Sequence, residues 1–557
     1  MSQPVAVSAD LASRWKQMFP VLPASIIARA SAFGAERSYD DGAIVWEQGD
    51  ENVAFHIVLA GKLEIVHPRG KVEDPITVHE PGEFTGEVSL LADRRSLVRG
   101  RAKGPLRVVR IEHDQFKRLV QVDTELSEIV LRAFILRRVG LLSSGFGDAV
   151  IIGSRDSGAT LRLQEFLVRN GHPHRLVDVD RDPDVQTLID ELHLKIEHIP
   201  ILICRGERVL KNPSDAEVAD CLGFNVTLDN AVIRDVVICG AGPGGLAAAV
   251  YGASEGLDVL IVESSSPGGQ AASSSKIENY FGFPTGISGH ALIARGLTQA
   301  EKFGAQLVVT RGAIQLHCEE VPMRIELAGG ESVRTRSIVI ATGAQYRKLQ
   351  VENLARFEGV GIYYSATTVE AQRCGEEEVI VVGGGNSAGQ AAMFLSRTAR
   401  HVHILIRGRD LSSSMSRYLI RRIEEASNIT LRRHTEIVAL DGGEHLERVK
   451  WRDENGVVAT RDIRHVFSMT GAKPNTDWLS GCVAMDDKGF VITGADLTPS
   501  MLSEQKWPLP RPPFLFETNQ PRVFAVGDVR SNSVKRVASA VGEGSVCIQL
   551  VHKSLTG

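Results

Sequence analysis

The sequence predicts a multidomain α/β protein with a β-rich N-terminal part, and three observations carry that reading. The chain has 557 residues, too many for one core, so three or more domains are expected. Residues 35–110 alternate short β-branched runs with glycine turns, as a small barrel or roll does. From residue 236 onward the order strand, glycine-rich turn, helix, strand occurs twice, the pattern of parallel doubly wound sheets.

Composition excludes several classes. Hydrophobic residues make up 43% and charged residues 24%, ordinary for a soluble globular protein. A net charge of −5 gives no general attraction to nucleic acid or an anionic membrane, so no nucleic-acid partner is expected. The first residues, MSQPVAVSADLASRWKQ, lack a basic region followed by an apolar run, and no secretory leader is expected there. The longest uncharged stretch, 236–254, is interrupted by Gly and Pro and is not expected to span a membrane. The seven cysteines, Cys204, Cys221, Cys239, Cys318, Cys374, Cys482 and Cys547, contain no Cys-x-x-Cys and no metal-ligand spacing. No metal is therefore expected, and the thiols are expected to be reduced, mostly buried and cytoplasmic.

The first unit is expected over residues 1–140. Its strands read 42–46, 55–59, 62–66 and 106–111, and an amphipathic helix follows from His113 towards Arg138. The phrases GAIVWEQGDENVAFHIVLAGKLEIV and PGEFTGEVSLL resemble the cyclic-nucleotide-binding domain. That resemblance implies a β-roll in which Gly86-Glu87 hold a ribose hydroxyl and a following arginine holds the cyclic phosphate. Where the family has Pro-Arg and two small residues, this chain reads Asp93-Arg94-Arg95-Ser96-Leu97. Arg94, Arg95 and Ser96 are thus the candidate phosphate ligands. The competing reading makes Arg94, Arg95, Arg99 and Arg101 a solvated basic face.

A second unit is expected over residues 145–226, after a linker at 140–147. Strand 149–152, helix 160–170, strand 174–179, helix 183–192 and strand 200–204 suggest a small α/β unit. It resembles the thioredoxin or glutaredoxin fold, with Ile199-Pro200 where that family has its cis-proline. Where the family carries its dithiol, the chain reads Gly153-Ser154-Arg155-Asp156-Ser157-Gly158-Ala159. A hydroxyl is no thiolate, so dithiol exchange is excluded and an adaptor role, or a groove beside Pro200 for a glutathione-like or peptide ligand, is expected. Cys204 and Cys221 are read as core residues.

The stretch 236–263 organises the rest. Val236-Val237-Ile238 leads into Gly240-x-Gly242-x-x-Gly245, then an Ala-rich helix and a strand ending on Glu263. The first glycine permits the tight turn, the second lets a pyrophosphate approach, and the third lets helix pack on strand. The helix N-terminus offers free N–H groups and the positive end of its dipole. Glu263 stands where an acid bonds an adenosine ribose hydroxyl. A second fingerprint, Gly383-Gly-Gly385-Asn386-Ser387-Ala388, is followed by a strand ending on Arg407 instead of an acid. Arginine suits a 2′-phosphate, so NADPH is expected in preference to NADH, with Arg409 and Arg417 nearby.

Further phrases are Pro267-Gly268-Gly269-Gln270, the run 277–284 containing Asn279, Ala341-Thr342-Gly343-Ala344, Gly527-Asp528 and Lys535-Arg536-Val537-Ala538. Together they resemble the low-molecular-weight thioredoxin reductases over 230–557. The resemblance implies two Rossmann-like domains: FAD-binding at 230–350 and 476–557, and NADPH-binding at 351–475. FAD would be held by Gly240, Gly242, Pro243, Gly244, Gly245, Glu263, Gly269, Gln270, Asn279, Gly343, Asp528, Arg536, Val537 and Ala538. NADPH would be held by Gly383, Gly385, Asn386, Ser387, Arg407 and Arg417. A homodimer is implied as well. The family's Cys-x-x-Cys is replaced by Ser365-Ala366-Thr367-Thr368, which blocks its disulfide chemistry.

The whole chain resembles bacterial fusions of these three units. The expected function is FAD-dependent oxidation of NADPH, with hydride passing to flavin N5 and on to an unidentified small-molecule or protein acceptor. No catalytic side chain is named, and a cyclic nucleotide is the candidate ligand of the roll. Two other readings stay open: a slow or non-catalytic redox or nucleotide sensor, and a thioredoxin-disulfide reductase using the remaining cysteines.

Overall fold

The computed structural model describes residues 14–69, 72–86, 90, 95–144, 149–155, 157–180, 199–204, 208–272, 274, 277, 279–364, 366, 371, 374–412, 414–470, 472–479, 481–504 and 506–556. Helix α1 (Ala24–Ser31) precedes an antiparallel roll of β1 (Ala35–Tyr39), β2 (Ile44–Trp46), β3 (Phe55–Arg69), β4 (Val72–His79) and β5 (Arg99–Ile111). The two short runs expected at 55–59 and 62–66 are one strand, because β3 stays paired with β5 across bulges around Ala60. The single helix expected after the roll is two, α2 (His113–Val122) and α3 (Thr124–Ser144). Asp123 leaves helical geometry at ψ 95°, and its carboxylate accepts the Leu126 N–H, capping α3. Helix α3 continues through Gly140 to Ser144, so the linker expected at 140–147 begins later than its composition suggested.

Phe55, Phe84, Phe116 and Phe134 pack where the roll meets its helices, and Trp46, Val58, Leu63 and Val108 fill the other face. Arg137 of α3 enters the first of these clusters. Its guanidinium donates to the carbonyls of Met18, Phe84 and Gly86 and lies over the Phe19 and Phe84 rings.

His56 is buried against Trp46, ring centroids 5.4 Å apart. Burial, aided by Arg110, holds the imidazole down at about 3 against an ordinary 6.5. The unfolded chain then binds the extra proton, so this group leaves stability intact above pH 6.5 and erodes it as pH falls from 6.5 towards 3. On the order of 2 kcal/mol is expected to be lost through His56 by pH 5. Denaturant midpoints of the roll, followed from pH 7 to pH 4, should drop accordingly. A His56→Asn variant that keeps the full slope contradicts the assignment.

The second unit comprises β6 (Ala149–Gly153), α4 (Gly158–Arg169), β7 (His174–Asp178), β8 (Ile201–Cys204), β9 (Arg208–Lys211) and α5 (Asp215–Leu222). Its sheet runs β7-β6-β8-β9, with β6 parallel to β7 and antiparallel to β8. This is a thioredoxin-like arrangement, and Ile199–Pro200 is cis. The helix expected at 183–192 lies outside the described residues.

The third sheet is built from β10 (Ile233–Cys239), α6 (Pro243–Ser254), β11 (Val259–Val262), α7 (Gly269–Ala272), α8 (Gly289–Lys302), β12 (Gln306–Val308), β13 (Ala313–His317), β14 (Met323–Leu327) and β15 (Ser332–Ile340). Its order is β12-β11-β10-β15-β14-β13, with β10, β11 and β12 parallel and β13 to β15 a meander. Side chains of β10 alternate faces. Val236 and Ile238 meet Leu246 of α6, while Val237 and Cys239 meet Leu260, Ile338 and Trp478.

Strand β16 (Ala344–Tyr346) leads to the fourth sheet. That sheet holds β17 (Ile362–Tyr363), β18 (Glu378–Val382), α9 (Asn386–Leu395), β19 (His401–Leu405), α10 (Arg417–Glu425) and β20 (Ile429–Arg432). A meander of β21 (Glu436–Asp441), β22 (Arg448–Arg452) and β23 (Val458–Arg461) precedes β24 (His465–Ser468), and the parallel order is β17-β24-β18-β19-β20. The chain returns on β25 (Ala472–Pro474), antiparallel to β16. Thr342 and Asn475 clamp this ribbon by two hydrogen bonds of 2.8 Å. Strand β26 (Val523–Ala525) then joins β15, and α11 (Val537–Thr556) closes the chain.

The expectation of reduced thiols is corrected for four of them. Cys204 is bonded to Cys221 and Cys318 to Cys482, with Cα separations of 6.6 and 6.0 Å. Sequence separations of 17 and 164 give no pairing signal; the folding of α5 onto β8, and of the segment after β25 onto β13, brings the sulfurs together. Cys239, Cys374 and Cys547 are free and buried. Thiol titration in denaturant is therefore expected to give three groups without reductant and seven after reduction. Seven in both samples removes the pairs.

Candidate functional site

Both fingerprints sit at the carboxyl ends of parallel strands, where doubly wound sheets bind their ligands. In the first, Gly240 follows β10 at φ +110°, and a Cβ there would lie 2.4 Å from the Ala341 carbonyl oxygen beyond β15. Gly242 caps α6, and Pro243 fills the first helical position, where its missing N–H is no loss. Gly244 backs onto Ala540 of α11, and a Cβ on Gly245 would lie 1.9 Å from the Gly240 carbonyl oxygen. A Cβ on Gly242 or Gly343 would meet nothing within 4 Å, so both border open space. The Glu263 carboxylate accepts the Ala241 N–H at 2.9 Å and the Ser265 N–H at 3.0 Å. That ties the end of β11 to the phosphate turn.

The loop before α7 closes on the same turn. Gly268 donates its N–H to the Ala241 carbonyl at 2.9 Å, and a Cβ on Gly269 would lie 3.6 Å from Gly242 Cα. Gln270 follows in α7, and Asn279 is exposed beyond it. Asp528 sits in the short turn Gly527–Val529 after β26. Its carboxylate accepts no hydrogen bond from a described residue, and burial pushes it above the ordinary carboxylate range although Lys535 is near. Lys535 donates to the Asp528 carbonyl instead, at 2.5 Å. Val537 opens α11 with Ala538 in its first turn and Arg536 just ahead.

Glu543, one turn further along α11, is a residue that the motifs did not single out. It accepts the Gly527 N–H at 2.7 Å and pairs with Arg530 at 2.7 Å, which fixes the turn carrying Asp528. An acid in Gly-Glu-Gly was the one available signal. The glycine cradle bordering open space, the carboxylate at the strand end and the half-buried Asp528 carboxylate are chemically suited to a flavin dinucleotide.

In the second fingerprint Gly383 follows β18, Gly385 caps α9, Asn386 opens it and Ser387 is exposed. Ala388 holds the third motif position and is fully buried, so this turn accommodates the methyl group that the first turn does not. Asn386 accepts the Ser416 N–H at 2.8 Å, and the Ser414 hydroxyl donates to the Gly384 carbonyl at 2.9 Å. These bonds draw the chain before α10 over the turn. Arg417 is the first residue of α10 and Arg407 lies two residues past β19. Both are exposed and make no ion pair or hydrogen bond among the described residues. A phosphate ester is a suitable partner for such guanidinium groups.

Ser365, Thr367 and Thr368 lie outside the described residues. Ala366, between them, pairs with Ser274 just past α7. Cys374 is fully buried, and burial pushes the Cys239 thiol far above the ordinary thiol range.

In the roll, Gly86 has φ +102° and its carbonyl is held by Arg137. Glu87 and Arg94 lie outside the described residues. Arg95 pairs with Glu51 at 2.7 Å, and the Ser96 hydroxyl donates to the Val98 carbonyl at 2.8 Å. Arg99 and Arg101 are half-buried and pair with Glu47, Glu64 and Glu73, so these two are neutralised and do not form a solvated basic face. Among the described residues two groupings bring potential metal-ligand atoms within 4.8 Å: Cys318, Glu319 and Cys482, and the sequence neighbours His317, Glu319 and Glu320. In the first the sulfurs are bonded to each other. Among the described residues no helix is long and apolar enough to cross a membrane.

The family model described as pyridine nucleotide-disulphide oxidoreductase matches residues 234–544, and that of the cyclic nucleotide-binding domain matches 36–123. The chain is similar to the thioredoxin reductase of Mycolicibacterium smegmatis, 31% identical over 314 residues, 56% of this chain and 93% of that protein. Among solved structures it is similar to the thioredoxin reductases of Lactococcus lactis (27% identical, TM-score 0.51) and T. acidophilum (25% identical, TM-score 0.52). Each match covers 58% of this chain and 99% of the other.

Proposed function

The chain belongs to the pyridine nucleotide-disulphide oxidoreductase family, and we propose that within it this protein oxidises NADPH through FAD and delivers the electrons to an acceptor that is not a disulfide. Its reductase part is thioredoxin-reductase-like and is fused to a cyclic nucleotide-binding domain. One observation carries the acceptor reading: Ala366, which pairs with Ser274 just past α7, is flanked in the sequence by Ser365 and Thr368, hydroxyls where the family's relay has sulfur.

The chain's own residues bind and orient. The N-termini of α6 and α9 would hold the two pyrophosphates, Glu263 would take an adenosine ribose hydroxyl, and Arg407 and Arg417 would take the 2′-phosphate. Asp528, held by Glu543 through Gly527, takes a ribityl hydroxyl. When bound, the flavin supplies the redox chemistry, accepting hydride from the nicotinamide and returning electrons to the acceptor.

Anaerobic mixing with NADPH tests the reading. Rapid bleaching of the flavin is expected, followed by reoxidation by one member of a panel of iron–sulfur proteins, flavodoxins, quinones and dioxygen. New thiols appearing on NADPH addition overturn it in favour of disulfide reduction. The Cys318–Cys482 pair speaks against that outcome, since it lies with Val237 and Cys239 on the face of the sheet away from α6. Tight binding of both dinucleotides with negligible turnover marks a sensor instead. Control of turnover by a cyclic nucleotide at the roll, a cytoplasmic location and a homodimer belong to the same proposal. Calorimetry with cAMP and cGMP that shows no heat removes the first of these.

A further inference from the structure

The thioredoxin-like unit carries no dithiol after β6, where its fold would place one, yet it is packed on the flavin unit. One hydrophobic cluster runs from Ile151, Leu163 and Phe166 into Val236, Leu246 and Ile261. Around it, Arg311 pairs with Asp220 at 3.0 Å, His290 meets the Val168 carbonyl at 3.0 Å, and the Val309 N–H donates to Asn225 at 2.7 Å. Within this contact Arg169, the last residue of α4, reaches the 266–269 loop at the start of α7. Its Nη2 donates to the Gly269 carbonyl at 3.2 Å and lies 3.5 Å from the Ser266 carbonyl. Glu165, one turn back on the same helix, stands 3.7 Å from Nη1.

The loop so held is the one that touches the phosphate turn. Gly268 and Gly269 both have left-handed backbone, at φ +111° and +51°, a conformation that glycine reaches but does not favour over its alternatives. Something outside the loop must therefore select it. Gly268 is bonded to Ala241, and Gly269 packs on Gly242, so a shift of the two carbonyls is felt at the turn. At its other end α4 starts on Gly158, where a Cβ would lie 3.8 Å from Val360 Cγ1, ahead of the second fingerprint. The helix spans from one nucleotide-binding unit to the other.

We propose that Arg169 is a positioning residue for FAD, and that the thioredoxin-like unit is a fixed brace whose helix α4 presses the 266–269 loop against the dinucleotide turn. The inference rests on the FAD reading above. A merely local role, neutralising the C-terminal dipole of α4, predicts a stability change without a flavin signature.

The test uses the full chain, stripped of flavin and titrated with FAD, with affinity read from fluorescence quenching and the site geometry from visible circular dichroism of the bound flavin. Loss of one charge-assisted hydrogen bond in Arg169→Ala is expected to raise the Kd for FAD by ~10-fold and to alter the dichroism. Arg169→Lys, which keeps the charge but not the fork, should fall between it and the parent and serves if the alanine variant does not fold. Asp220→Ala, which cuts the Arg311 pair of the same interface from the thioredoxin-like side, should leave both readings unchanged. Parental affinity and dichroism in the Arg169 variants overturn the inference alone. A parent protein that takes up no FAD overturns both it and the reading it rests on.

Discussion

A Gly245→Val protein is expected to leave the column colourless and to oxidise NADPH at least ~100-fold more slowly than the parent, the size of effect that about 1 Å of misplacement produces. The side chain has nowhere to go. Its Cβ alone would lie 1.9 Å from the Gly240 carbonyl oxygen, in the turn that must cradle the pyrophosphate, and 3.3 Å from Ala341 Cβ just beyond β15. Backbone cannot yield there as a side-chain tip would, so α6 must back away from β10, taking its N-terminal N–H groups with it. The matched control is Ala388→Gly at the corresponding position of the second fingerprint. It removes a methyl group that already fits, costs about 1 kcal/mol of helix propensity, and should leave the flavin in place. Absorbance at the flavin band and NADPH turnover decide the matter, and a yellow, fully active Gly245→Val protein contradicts the site.

Removing Arg407 and Arg417 together is expected to raise KM for NADPH by ~30- to 100-fold while kcat and KM for NADH stay unchanged, since charge-assisted bonds are worth ~1.5–3 kcal/mol. Arg417 directly follows Ser416, which bonds Asn386 at the second glycine turn, and Arg407 lies two residues past the neighbouring strand β19. Neither is engaged by a described protein group, so their loss should leave the fold intact. The discrimination should also shrink with added salt in the parent, because exposed charges are screened within about 10 Å at 0.1 M. Equal losses with both nucleotides locate these residues in general binding, and an unchanged KM for NADPH removes the 2′-phosphate assignment.

What the sequence revealed follows from range. The two fingerprints are strand, turn and helix within thirty residues, each glycine answering to a local demand, so Gly240, Gly242, Gly245 and Gly385 could be placed from spacing alone. The thioredoxin-like order of strands was legible for the same reason. Asp123 hid the break between α2 and α3, because a capping aspartate inside an amphipathic run is easily read as its polar face. Arg137 and Arg169 were not legible at all, and Glu543 only as an acid between two glycines. Each acts on backbone atoms 16 or more residues away, through a contact that no periodicity records. The cysteine pairs were missed likewise, Cys318 and Cys482 being separated by an entire inserted sheet.

That insertion leaves and re-enters the molecule at one spot. Ala344 stands opposite Pro474 and Tyr346 opposite Ala472, so the two cut ends of the chain lie side by side. Anything between them can be excised and the stumps rejoined by a tight turn without stretching what remains. The shortened polypeptide should still fold and stay yellow, yet be deaf to pyridine nucleotides.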